Sequence, residues 1–232
     1  MANFINKYAT QNAYEGDSTK QYPNVSYISG GSVVFANSAP ATFGGLTVHY
    51  LIDQSVASVN VTLFNGGGSS SSESGGGDSE SGGGGVMPTR MIVDGVEETV
   101  VNTWVFETVG EHIVQYEFED NVIPTNFIDG NISAAKKVEI GDDITDIGEG
   151  AFGSSFIEEV TISDGVYSIG NYAFKDCLSL SSVTINNTSV PSIGYTPFDN
   201  NASGRKIYVP SESITDYQEA WVDYASDIEA IQ

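Results

Sequence analysis

A three-fold internal repeat in the C-terminal half constrains the fold more than any other feature. Val138-Glu-Ile-Gly-Asp-Asp-Ile-Thr-Asp-Ile-Gly-Glu-Gly-Ala-Phe152 aligns with Val160-Thr-Ile-Ser-Asp-Gly-Val-Tyr-Ser-Ile-Gly-Asn-Tyr-Ala-Phe174. A third copy runs from Val183 to Phe198, with one extra residue near Pro191. The Ile-Gly pairs start at 147, 169 and 193, so the spacings are 22 and 24. Each Val-x-Ile places two side chains on one face of a short strand. Ile-Gly then adds an inward residue and a bend, and Ala-Phe plugs the interior from a turn. A single coil cannot bury its apolar edge, whereas stacked coils share one core. The expected core is Val138, Ile140, Ile147, Phe152, Val160, Ile162, Ile169, Phe174, Val183, Ile185, Ile193 and Phe198.

These residues resemble the BspA-type leucine-rich repeat, whose pattern is close to Val-x-Ile-Pro-x-x-Val-x-x-Ile-Gly-x-x-Ala-Phe-x-x-Cys-x-x-Leu. Residues 160–182 match throughout, including Cys177 and Leu180. The preceding copy has a small residue near Ser155 and Ile157 in those places. The third reads Thr-Pro-Phe for Tyr-Ala-Phe, and Ile123-Pro-Thr-Asn-Phe127 reads as a degenerate first turn. The resemblance implies a solenoid over 121–210. Residues 211–232 read as its cap: Ser211 is the expected N-cap, and Ile214, Tyr217 and Trp221 share one helix face.

Ahead of the repeat the periodicity changes. Residues 46–52, 56–64, 91–100, 103–107 and 112–118 read as short strands, with Asp94-Gly95 as a hairpin turn. They predict a small Ig-like β-sandwich over 41–120. Half of residues 66–85 are glycine, and the rest are serines with three acids. Such a run cannot bury apolar area, so 65–86 reads as a flexible loop within the sandwich, with an interdomain linker as the alternative. Residues 1–40 read as an extended arm followed by a hairpin over 25–35. The arm's spaced aromatics suit docking to a partner, and a frayed terminus is the plainer reading. The fold class is therefore mainly β: arm and hairpin, sandwich, solenoid, capping helix.

Charge and chemistry narrow the function. Eight Lys and Arg face 31 Asp and Glu, a net charge of −23, which repels nucleic acid and anionic lipid. No apolar run approaches a membrane span, and the N-terminus lacks the apolar core of a signal peptide. Cys177 is the lone cysteine and reads as a small buried residue. His49 and His112 fall in expected strands with no nucleophile arranged beside them. Asp142, Asp143, Asp146 and Glu149 lack the spacing of a calcium loop and read as a solvated edge, with weak calcium binding as the minor alternative. No catalytic, cofactor or metal residue is assigned, and no enzyme activity is expected.

The N-terminal segment, Phe4-Ile-Asn-Lys-Tyr-Ala-Thr-Gln-Asn-Ala-Tyr and Pro23-Asn-Val-Ser-Tyr-Ile, is similar to head fibre proteins of crAss-like phages of Bacteroidota. That resemblance implies a virion structural protein made in the host cytoplasm and carried on the capsid surface. Phe4, Tyr8, Tyr14, Tyr22, Val25 and Tyr27 would bind capsid or other virion proteins. The rest would project as a dimer or trimer and bind a host-surface or glycan ligand with avidity. A bacterial surface adhesin is the second reading, and a carbohydrate-active enzyme the third.

Overall fold

The computed structural model describes residues 25–28, 32–35, 43–53, 60–65, 87–128, 130 and 132–231. Two units result, Met1–Ala41 and Thr42–Gln232. In the first, β1 (Val25–Ile28) and β2 (Ser32–Phe35) form an antiparallel hairpin in which Val25 opposes Phe35. Phe4, Tyr8, Tyr14 and Tyr22 lie outside the described residues, as does the glycine-rich run. Val25 and Tyr27 occupy positions on β1.

The second unit begins with β3 (Leu46–Ile52), β4 (Asn60–Thr62), β5 (Arg90–Val93), β6 (Val96–Glu98), β7 (Thr103–Val105) and β8 (Gly110–Glu117). The coils follow: β9 (Val122–Ile123), β10 (Ala135–Ile140), β11 (Asp146–Ile147), β12 (Glu159–Ile162) and β13 (Ser168–Ile169). They continue through β14 (Ser182–Ile185), β15 (Ser192–Ile193) and β16 (Lys206–Val209). A short helix, α1 (Ile214–Ala220), leads to β17 (Ile228–Ala230). The chain is mainly β with a short C-terminal helix, as its sequence indicates.

Among the described residues, the principal sheet has the order β17-β16-β14-β12-β10-β3-β8-β5-β6. From β10 to β17 the pairing is parallel, one strand per coil. From β10 to β6 it is antiparallel. The sandwich strands and the coil strands thus belong to one sheet, joined where Val138 of β10 opposes Val48 of β3. The sequence does not reveal this join. It buries the first coil's open edge under β3, so that edge needs no separate cap.

Inside the solenoid the side chains form columns. Val138, Val160, Val183, Ile207 and Ile228 align across five strands. Ile123, Ile147, Ile169 and Ile193 align across the second sheet, β9-β11-β13-β15. The rings of Phe152 and Phe174 stack at 5.1 Å and 8°, and those of Phe174 and Phe198 at 5.4 Å and 5°. Of the twelve expected core residues, eleven are buried and Ile193 is partly buried. The first coil keeps the spacing of the others, with a different residue in the ring position. Ile128 donates to the Ala151 carbonyl as Phe152 does to Ala173, so Ile128 takes the phenylalanine position. Phe127 instead turns toward the sandwich, stacking on Phe64 at 5.1 Å and meeting Tyr116 and Phe118 edge-on.

Gly148, Gly170 and Gly194 have ordinary negative φ, so conformational freedom does not explain them. The coil before each one does. A Cβ on Gly170 would lie 2.8 Å from three backbone atoms of residues 147–149. The Gly170 N–H donates to the Ile147 carbonyl at 2.8 Å, and Gly148 and Gly194 repeat that bond. The bend expected there is a site of close backbone approach. Left-handed φ occurs two residues later instead, at Asn126, Gly150, Tyr172 and Thr196.

The C-terminal segment differs from its expected form. Residues 211–213 make a 3₁₀ turn, α1 starts at Ile214, and the Ser211 hydroxyl bonds Glu212 rather than a helix N–H. Ser213 precedes the helix, but its hydroxyl donates to Thr188 in the last coil. Tyr217 and Trp221 also bond that coil, at the Asn187 and Pro191 carbonyls. The segment then returns as β17 and adds a strand. Buried Arg205 locks this end: it lies over Phe198 and Tyr224, donates to the Phe198 carbonyl and pairs with Asp227 at 2.5 Å.

On the sandwich side, β4 and β7 pair as a two-stranded layer against the principal sheet. Of the 56–64 read as strand, β4 covers 60–62, and 56–59 lie outside the described residues. Tyr50 donates to the Leu63 carbonyl at 2.5 Å, and its oxygen lies 3.0 Å from that of Tyr116. Burial pushes both phenols well above their usual range. Asp94 and Gly95, at φ 49° and 83°, form the tight turn between β5 and β6.

Candidate binding surface

Strand alternation gives the principal sheet an outward face. Val and Ile point into the core, so the residues between them point away. One outward row crosses all nine described strands in register. It runs Glu229, Tyr208, Thr184, Thr161, Glu139, Thr47, Gln115, Ile92 and Glu97. Three threonines stand among its middle five residues, with Thr47 buried and Thr161 and Thr184 partly exposed.

The charge pattern on this unit is one-sided. Every described Lys and Arg already has an acidic neighbour. Lys206 lies 2.5 Å from Glu229, Lys137 2.7 Å from Glu139 and Lys136 3.4 Å from Glu158. Arg90 bridges Glu117 and Glu97, while Lys175 and Arg205 face Asp176 and Asp227. Among the described residues, the surface therefore carries no free basic patch of the kind that binds phosphate backbones.

His49 sits on β3, the strand that joins the two pairing regimes. The Glu139 carboxylate, 3.6 Å from Nε2, and the Glu111 carboxylate, 2.6 Å from Nδ1, raise its pKa above the usual 6.5. Only the shorter contact is a hydrogen bond; the longer one is charge attraction. The imidazole and Lys137 in turn hold Glu139 down at about 2. His112 is buried against Phe106, its Nδ1 2.7 Å from Asp94 and its Nε2 3.0 Å from the Thr108 carbonyl. Both histidines thus tie strands or turns together.

The other polar candidates have local roles. The Cys177 thiol is buried, donates to the Phe152 carbonyl at 3.0 Å and has its pKa raised by burial. Asp146 accepts from Ser168 and Thr145, and Glu149 accepts from Asn171. Among the described residues, no three His, Cys, Asp or Glu side chains gather as metal ligands. No described helix is long and apolar enough to cross a membrane. Exposed aromatics lie on the coil turns, with Tyr167 and Tyr195 each 67% accessible and Tyr172 37%.

The twelve repeat residues singled out from sequence hold the scaffold from inside and take no part in its surface. The outward row and the His49 contacts escape sequence reading because both need strand order. Within a coil, the alternation Val-Thr-Ile at 160–162 and 183–185 already marks Thr161 and Thr184 as outward.

The family model for BspA-type leucine-rich repeat regions matches residues 121–232, in six copies. The match includes the segment from α1 to β17, in line with its return to the sheet as a further parallel strand. No curated protein matches the chain.

Proposed function

We propose, from the premise that residues 121–232 are a BspA-type leucine-rich repeat region, that this chain is a non-catalytic adhesin-like protein. Its principal sheet presents the contact surface. The observation that carries this reading is the outward row, in register across nine strands and backed by one continuous core. A surface so supported loses little entropy on binding. Multiple copies would convert weak contacts into avidity.

Adhesion of the purified chain to bacterial cells and to mucin-coated surfaces tests this. Thr161→Arg places a long cation in the middle of the row without touching the core. Retention of the wild type and loss of retention in Thr161→Arg at unchanged Tm is the expected result. Equal retention of both proteins refutes the sheet as the contact surface.

A finer reading, which rests on the resemblance read in the sequence of residues 1–40 alone, is carriage on a phage capsid through that segment. Under it, the full chain co-purifies with virions and a chain lacking residues 1–40 does not. Equal incorporation of both chains contradicts the anchor.

A further inference from the structure

The turns after β9, β11 and β13 carry a notch that the sheet-based reading does not use. Equivalent positions in successive coils are Asn126, Gly150, Tyr172 and Thr196. One turn on, Gly153 stands where the next coils have Lys175 and Asp199, each bonded back three residues. The second of these four coils therefore lacks side chains at two neighbouring positions. The gap is an open notch of about 270 Å³. A Cβ on Gly150 would lie 2.5 Å from the Asn126 side-chain oxygen, so a larger residue there would displace that amide.

One wall is aromatic. Tyr172 has φ 57°, a conformation usual for Gly or Asn and rare for a bulky residue. The Tyr195 ring meets its ring edge-on at 5.7 Å, and Lys175 Nζ lies 5.2 Å from its centre. The same left-handed turn recurs in the other coils, and only this one carries an aromatic ring on it. The remaining lining is polar: the Asn126 amide, the Glu149 and Asp176 carboxylates and the Ser154 hydroxyl. Asn171 and Asn200 each occupy one oxygen of those carboxylates, leaving acceptor capacity free.

We propose that this notch binds one neutral sugar residue of a glycan. A hexose has an apolar C–H face for the Tyr172 ring, hydroxyls that donate to Glu149 and Asp176, and oxygens that accept from Asn126 and Lys175. Two carboxylates against one ammonium, on a chain of net charge −23, disfavour acidic sugars. The site lies outside the principal sheet and stands or falls independently of the sheet's role in adhesion.

The test uses the full chain and saturation-transfer NMR with glucose, galactose, mannose, N-acetylglucosamine and N-acetylgalactosamine. At least one is expected to bind. Tyr172→Asn keeps a residue suited to the left-handed φ, as Asn126 does, while removing the ring. It should weaken binding by roughly tenfold or more, with Tm unchanged or raised. Gly153→Lys fills the notch with the residue the next coil carries there, and should abolish binding in a folded protein. No binding by any of the five sugars, unaltered affinity in both variants, or preference for an arginine-rich peptide overturns the proposal. Thr161→Arg should leave sugar binding intact, which separates this site from the sheet surface.

Discussion

Residues 121–231 and residues 43–120 build the same sheet by opposite means. In the coils each strand pairs with the strand about 22–24 residues further on, and every inward position is repeated one coil later. Valine meets valine, isoleucine meets isoleucine, and phenylalanine stacks on phenylalanine. In the sandwich, β3 pairs with residues 58 to 94 positions away in sequence, and its contacts occur once each. Tyr50 with Leu63, Phe64 with Phe127 and His49 with Glu111 have no counterparts elsewhere. One half is specified by repetition and the other by individual partners. The shared core nonetheless makes them a single cooperative body, so damage to either half should be felt in both.

The largest test of that claim removes the middle of the ring stack. Phe174 is fully buried between Phe152 and Phe198. Phe174→Ala should cost about 3–5 kcal/mol, the usual loss for emptying a packed aromatic site. If the halves are one body, denaturant unfolding stays a single transition and β3 loses hydrogen-exchange protection together with β12. Two separated transitions would break the comparison and make the join at β3 and β10 a loose one.

What was legible in the sequence follows the same division. The Val-x-Ile and Ile-Gly-x-x-Ala-Phe spacings identify the coils because each copy corroborates the others. Asp94-Gly95 identifies one hairpin because its turn chemistry is local. The pairing of β3 with β10 left no such trace: an antiparallel strand 90 residues earlier in the chain carries no shared spacing. The role of Ile128 is hidden for a related reason, since Phe127 looks like the repeat's phenylalanine but stands one residue early and packs on Phe64 instead. Ser211 looked like a helix cap from residue type alone, but its hydroxyl turned to Glu212 and the helix began later. The glycines of the Ile-Gly pairs were legible as conserved spacing within the repeat, while their cause, backbone packing against the coil before, required the stack.

A smaller effect probes the sandwich's reliance on single contacts. Tyr50→Phe removes the donor to the Leu63 carbonyl and leaves that acceptor without its phenol partner. The expected loss is about 1–2 kcal/mol, typical of an unmet buried hydrogen bond. Because the ring and its packing remain, the coils should keep their exchange protection relative to the global stability. A loss as large as that of Phe174→Ala would mean that this phenol organises the whole unit, and the contrast between the halves would need redrawing.

The smallest effect lies at the join itself. His49 has a folded pKa above its usual 6.5, so its contribution to stability is complete below about pH 6.5 and fades as pH rises through the folded value. Glu139 is held at about 2 against a usual 4.5, so its contribution is complete above pH 4.5 and fades on acidification toward 2. Both operate together only between these limits, and the contact between β8, β3 and β10 should be firmest there. Glu111 and Glu139 are 62% and 44% exposed, so screening keeps the gain under about 1 kcal/mol. His49→Gln should flatten the alkaline limb of Tm against pH. It should leave much of the acid limb, because Lys137 still holds Glu139 at 2.7 Å. An alkaline limb identical in the variant would place the pH dependence elsewhere, and would leave the join between the two pairing regimes resting on backbone bonds and Val48–Val138 packing alone.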